Sequence, residues 1–259
     1  MTAATEALRR ERTLMLLALA MVLALLPAAV ALGLDERMLR GVSIWAKPMK
    51  FMASVALFAA TTAWFVGLLP EARRRARPVR LIVWTLVIAG TLEVGYISLQ
   101  AALGQPSHYN RADSVHKLLY MVMGLLAVSM MLTQPLLAWQ IARHGRDDLN
   151  PAWRAAVVLG LVMTFVLGVG AAVPLSSAQP PSGAGLPVLG WQLAGGDLRP
   201  AHFIGSHAQQ FVPLVGWLLV RAWPRRAPVA LALFALAYTA LWLAALLRGL
   251  DGAAWTHPM

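Results

Sequence analysis

Residues 14–34 read LMLLALAMVLALLPAAVALGL, with no ionisable side chain. As a helix this run would cover about 30 Å, the thickness of the hydrocarbon layer of a bilayer. Arg9, Arg10 and Arg12 stand just before it. A basic start, a Leu/Ala core and Ala29-Val30-Ala31 are also the features of a secretory signal peptide. The apolar run is longer than such a core needs, which favours a first helix that is retained over one that is cleaved.

Working outward, similar runs recur at 48–69, 81–103, 117–141, 154–175, 201–222 and 228–248. The reading is an all-α, polytopic membrane bundle of seven transmembrane helices, taken as one domain over 1–259. Composition agrees. Of 259 residues 59% are hydrophobic and 13% charged, and the mean hydropathy is +0.65. A soluble domain carries about 25% charged residues. The formal net charge of +11 would suggest nucleic-acid binding in a soluble chain. Here the arginines sit in loops between apolar runs, so topology explains them and no nucleic-acid partner is expected. There is no cysteine, which excludes disulfides, thiolate metal sites and thiol redox chemistry.

Orientation follows from the basic residues. Arg9, Arg10 and Arg12, loop 70–80, Arg143, Arg146 and Arg154, and turn 221–226 hold fourteen of the 22 lysines and arginines and fall on one side. The positive-inside rule places that side, and the amino terminus, in the cytoplasm and the carboxyl terminus in the periplasm of a bacterial inner membrane. Loops 35–46, 104–116 and 176–200 then share the outer side. Segment 35–45 is mixed in character and is expected along the interface. The tail carries His257.

Polar groups at membrane depth are costly, and each is a candidate for function. Glu93 is the one acidic residue deep within an apolar run, with Tyr96 and Gln100 at i+3 and i+7 on the same helical face. Lys47, Lys50, Ser54 and Thr61 share a face of the second run; snorkelling lysines are the plain alternative. The loop after the third run holds His108, Asp113 and His116. The stretch GGDLRPAHFIGSHAQQFVPLVG, 195–216, sets Asp197, Arg199, His202, Ser206, His207, Gln209 and Gln210 at the mouth of the sixth run. Ala156, Gly160, Thr164, Gly168 and Ala172 recur every four residues and form a ridge for close helix contact. Met121, Met123, Met130 and Met131 read as packing rather than a copper relay.

These residues support several chemistries. Glu93, His202 and His207 are the candidate reacting groups. Lys47, Lys50, Tyr96, Gln100, Arg199 and Gln210 are candidates for binding a small anionic ligand. His108, His116, His202 and His207 are candidate ligands for a divalent metal, although no HEXXH pattern is present. At about 100° per residue, His202 and His207 stand some 140° apart, so they do not form an i,i+4 pair. A b-type haem would need His116 with His202 or His207 at similar depth, making the protein an electron carrier. A proton-coupled transporter would use the same groups, although no inverted repeat or pair of broken helices is evident. A structural membrane subunit would use none of them. Whether the chain is an enzyme, and how it oligomerises, stays open. The last run holds no lysine for a retinal Schiff base and no histidine of the kind ceramidase-like membrane hydrolases carry.

Lys47-Pro48-x-Lys50-Phe51, Glu93-x-x-Tyr96 with Gln100, Ser107-His108-x-Asn110, and Gly196-Asp197-Leu198-Arg199 with His202, His207 and Gln210 are the most distinctive stretches. Together they resemble uncharacterised bacterial multi-pass membrane proteins. That resemblance implies fold and location, and no activity.

Overall fold

The computed structural model describes residues 3–187 and 189–255; His257 lies outside them. The chain forms two compact units, Met1–Thr133 and Gln134–Met259. Among the described residues, six helices are long and apolar enough to cross a membrane, which fits a multi-pass membrane protein.

The amino-terminal unit opens with α1 (Ala3–Arg10) and α2 (Arg12–Leu34). Glu11 separates them and caps α2, its carboxylate accepting from the Thr13 N–H at 3.1 Å. The mixed segment after α2 is a hairpin, β1 (Met38–Leu39) against β2 (Val42–Ser43). Its two turn residues, Arg40 and Gly41, both have positive φ (54° and 79°), as a two-residue hairpin turn of the primed type requires. Asp35 holds the hairpin's base. It accepts from Arg37 Nε at 2.9 Å, Arg37 Nη2 at 2.7 Å and Trp45 Nε1 at 2.9 Å. The Arg37 guanidinium, helped by the Trp45 indole, keeps the Asp35 carboxyl well below the usual carboxylate range.

Three helices follow: α3 (Ala46–Val66), the single turn α4 (Glu71–Arg74) and α5 (Arg77–Ala102). α2, α3 and α5 pack on one another through small and branched residues. Ala59, Ala63 and Val66 of α3 and Val79, Val83 and Leu86 of α5 are almost completely buried. α6 (Ser114–His144) runs across the division between the units.

The carboxy-terminal unit contains α7 (Pro151–Leu175), started by Pro151 and by Asn150, whose side chain accepts from the N–H groups of Ala152 and Trp153. β3 (Ala178–Gln179) follows. The expected sixth span, 201–222, is not one helix. It is α8 (Arg199–Ser206) and α9 (Ala208–Ala222), bent by 49° at His207. Counted as one crossing, the pair would make a seventh span. The expected single helix over 201–222 is therefore bent rather than continuous, and adjacent Gly205 and Ser206 are the physical reason. The chain then runs through α10 (Ala227–Leu250) to β4 (Ala254–Trp255), which pairs with β3.

The break is possible because α7 offers a groove. Ala156, Gly160, Thr164 and Gly168 of the small-residue ridge are buried and Ala172 is half-buried. Gly205 lies on the backbone of Leu167 and Gly168, Gly160 on Pro213, and Gly216 on Ala156. Backbone groups at the bend find side-chain partners from neighbouring helices, as irregular backbone at membrane depth requires. The Thr164 hydroxyl accepts from the Gln209 N–H at 2.7 Å, and the Tyr238 hydroxyl donates to the Ile204 carbonyl at 2.5 Å.

Candidate functional site

The candidate residues fall into two sets, one in each unit. In the amino-terminal unit α5 carries Glu93, 2% exposed, and Gln100, 4% exposed. Glu93 Oε1 and Gln100 Oε1 are buried without a hydrogen-bond partner, as is the hydroxyl of Ser98. The Tyr96 hydroxyl lies against the Gln100 side chain but makes no hydrogen bond of normal geometry. Buried polar atoms are almost always partnered in folded proteins, so this density on two turns of one helix is unusual. Lys47 is the cation whose field reaches Glu93.

Lys47 and Lys50 stand in the first turn of α3, and Trp45 before them gives no side-chain cap. Positive charge at a helix amino terminus opposes the macrodipole, at a cost of about 0.3–1 kcal/mol that a nearby anion would offset. The Lys47 ammonium lies 5.8 Å from the centroid of Phe51. From there rings continue: Phe51 to His108 at 5.9 Å, His108 to Tyr120 at 6.1 Å, and Tyr109 to Tyr120 at 5.8 Å. Arg111 stands over Tyr120 at 5.6 Å. Tyr109 has φ 59°, a strained conformation for a bulky side chain. Such strain persists only where the surroundings enforce it, and it is concentrated at functional sites.

His116 serves the start of α6. Its N–H donates to Asp113 Oδ1 at 2.9 Å, its Nδ1 lies 2.7 Å from Asp113 Oδ2, and its Nε2 lies 3.2 Å from Gln105 Oε1. These bonds to His116 hold the Asp113 carboxyl below its ordinary range.

In the carboxy-terminal unit Asp197, 3% exposed, organises the loop before α8. It accepts from the Gln192 N–H at 2.9 Å and from Arg199 Nε at 2.8 Å and Nη2 at 2.5 Å. Arg199 also donates to the Gly190 carbonyl at 2.7 Å, so its guanidinium is used within the loop. Trp191 packs on Phe203 at 5.1 Å, and Phe203 on His207 at 4.1 Å. The long loop thus folds back onto α8. His202 Nδ1 is 3.1 Å from the Gly168 carbonyl and its Nε2 3.5 Å from Ser206 Oγ. His207 Nδ1 is 3.3 Å from Gln210 Oε1. Gln209 is fully buried with neither amide atom partnered, and the Trp242 indole nitrogen is likewise buried and unpartnered.

This geometry does not support the metal and histidine-cluster readings. Among the described residues no three His, Asp or Glu gather to hold a metal ion. His116 has both ring nitrogens engaged, His202 bonds to a backbone carbonyl and a hydroxyl, His207 bonds to Gln210, and His108 lies between aromatic rings beside Ser107.

Sequence reasoning passed over Ser98 and Tyr109, and gave Gln209 and Trp242 no role. Ser98 lies off the Glu93 face, and no sequence pattern announces a tyrosine of positive φ. Gln209 was legible, with Gln210, as one of two adjacent amides at the mouth of an apolar run. No family model, curated protein or solved structure matches the chain.

Proposed function

We propose that the chain is a bacterial inner-membrane protein of seven crossings, the bent pair α8–α9 counting as one, with its amino terminus in the cytoplasm. Its amino-terminal unit binds a small organic anion at the polar set around Glu93. The observation that carries this reading is the nearly complete burial of Glu93 with an unpartnered carboxylate oxygen. The ammonium groups of Lys47 and Lys50 suit a carboxylate or phosphate. The acceptors Glu93 Oε1 and Gln100 Oε1 suit an O–H or N–H on the same molecule. The ligand class is therefore a small anion that also carries a donor, such as a hydroxy acid or an amino acid.

Thermal unfolding of the purified protein against a panel of small carboxylates and phosphates tests this. Donor-bearing anions should raise the midpoint by several degrees at saturation, since binding to the folded state alone stabilises it. Equal midpoints with hydroxylated and unsubstituted anions would remove the reading.

Topology has its own measurement. Alkaline phosphatase fused after Met259 should be active and the same reporter at Arg75 inactive. The reverse pattern would overturn the orientation.

One observation favours a second reading, proton-coupled transport. Transporters build substrate and ion sites on discontinuous helices, and α8–α9 is one, with Gln209 buried just past its bend. Accumulation of the stabilising anion in proteoliposomes under a pH gradient would support transport; binding without accumulation would leave a receptor.

A further inference from the structure

The arginines of loop 70–80 and of the amino terminus do more than line one side of the protein. Arg9, Arg10, Arg12, Arg74, Arg75 and Arg80 converge from four elements on a single cavity of about 410 Å³. That volume lies within the usual range of small-ligand sites. The cavity sits at the ends of α2, α3 and α5 in the amino-terminal unit. From Arg80 to Glu93 is about 20 Å along α5, so this is a different place from the polar set described above.

The cavity is built, not merely charged. Glu11, 7% exposed, bonds Arg80 Nη1 through both oxygens, at 3.1 and 3.2 Å. Arg74 donates to the carbonyls of Leu69 and Gly67 at 2.8 and 3.0 Å, closing the end of α3. Arg10 donates to Glu6 at 3.0 Å and to the Trp64 carbonyl at 3.2 Å, and its guanidinium lies 4.0 Å from the Trp64 ring centroid. Gly67 leaves room for the Arg10 stem. Arg75 pairs with Glu71 at 2.7 Å. Arg9 and Arg12 are exposed and have no carboxylate partner among the described residues. Six arginines thus line one cavity whose own carboxylates are Glu11 and Glu71.

Guanidinium forks match phosphate oxygens bidentately, and excess positive charge held in a concave site is repulsive until an anion enters. Trp64 and Trp84 stand beside Arg10 and Arg80, as indoles do at the headgroup level of a bilayer. Basic pockets at helix ends on the cytoplasmic side take anionic headgroups.

We propose that this cavity is a phosphate-binding site, filled by the headgroup of an anionic lipid or by a free phosphate compound, with Arg9 and Arg12 as the forks left open for it. The full chain in neutral detergent is titrated with cardiolipin, phosphatidylcholine and pyrophosphate, and bound species are counted by native mass spectrometry. Cardiolipin should bind roughly tenfold or more tightly than phosphatidylcholine, and Arg9→Gln with Arg12→Gln should remove most of that preference. The control, Arg225→Gln with Arg226→Gln, loses equal charge elsewhere and should keep it. The unliganded double variant should melt like the parent, because neither arginine holds an internal partner. Competition by pyrophosphate would assign the site to phosphate from either source; cardiolipin binding without competition would assign it to the lipid headgroup. Equal binding of both lipids, or equal loss in the variant and its control, would overturn the proposal.

Discussion

Alanine at Gly205 will cost the carboxy-terminal unit on the order of 3 kcal/mol or more of stability. A Cβ there would sit 2.5 Å from the Leu167 carbonyl carbon, 2.6 Å from the Gly168 nitrogen and 2.7 Å from the Leu167 oxygen. All three are backbone atoms of α7, so no side chain can turn aside. α8 would have to lift off α7 by several tenths of an ångström. The lift strains the bonds that serve the bend, from Gln209 N–H to Thr164 and from Tyr238 to Ile204, and the contact of His202 with the Gly168 carbonyl. Each lost bond leaves a buried group unpartnered, at about 1–3 kcal/mol. Thermal unfolding in detergent checks this, with Gly124→Ala in α6 as the comparison. Nothing lies within 4 Å of a Cβ at Gly124, so that variant should be neutral or slightly stabilised. If Gly205→Ala melts with Gly124→Ala and the parent, the close contact of α8 with α7 is wrong.

At Glu93 two substitutions will separate binding from folding. Glutamine keeps the size and one acceptor oxygen, and replaces the other oxygen by an NH2 group that donates and cannot ionise. Glu93→Gln should stay folded, with stability within about 1 kcal/mol of the parent, because the change is nearly isosteric. It should lose the stabilisation by donor-bearing anions by a factor of about ten or more. Glu93→Ala removes the whole side chain from a site 2% exposed and should cost a further 1–3 kcal/mol, roughly, through the cavity and the groups left behind. The readout is the unfolding midpoint with and without the anion. Full anion response in Glu93→Gln beside plain instability in Glu93→Ala would make Glu93 a structural group and move the binding site elsewhere.

The long helices were legible because length and apolarity alone decide them. The run 14–34 is helix Arg12–Leu34, and 154–175 is Pro151–Leu175, extended by a cap that the sequence announces as Asn150-Pro151. The ridge from Ala156 to Gly168 was legible for the same reason, since small residues at a four-residue period leave a groove. The bend at His207 was not. Reading 201–222 as one span passed over the polar stretch GSHAQQ at 205–210, and angular arithmetic from His202 to His207 assumes a straight helix that does not exist. Arg40-Gly41 announced a turn, but reading 35–45 by hydropathy hid the hairpin. The Glu93 face was legible because an acid in an apolar run is rare. The roles of the histidines were not, because partners such as the Gly168 carbonyl and Gln105 lie on other segments or across a loop. The arginines were read as topology, and their convergence on one cavity depends on α1 meeting the end of α3, which no spacing encodes.

The bent pair also dictates an order of making. α8 is about 12 Å long and α9 about 22 Å, so neither crosses a bilayer alone. The acceptor for the Gln209 N–H, Thr164, is already synthesised when α9 emerges. The donor for the Ile204 carbonyl, Tyr238, belongs to α10 and is synthesised afterwards. During biogenesis this segment therefore settles only once the helix behind it has left the ribosome, and the last helix acts as the latch of its insertion.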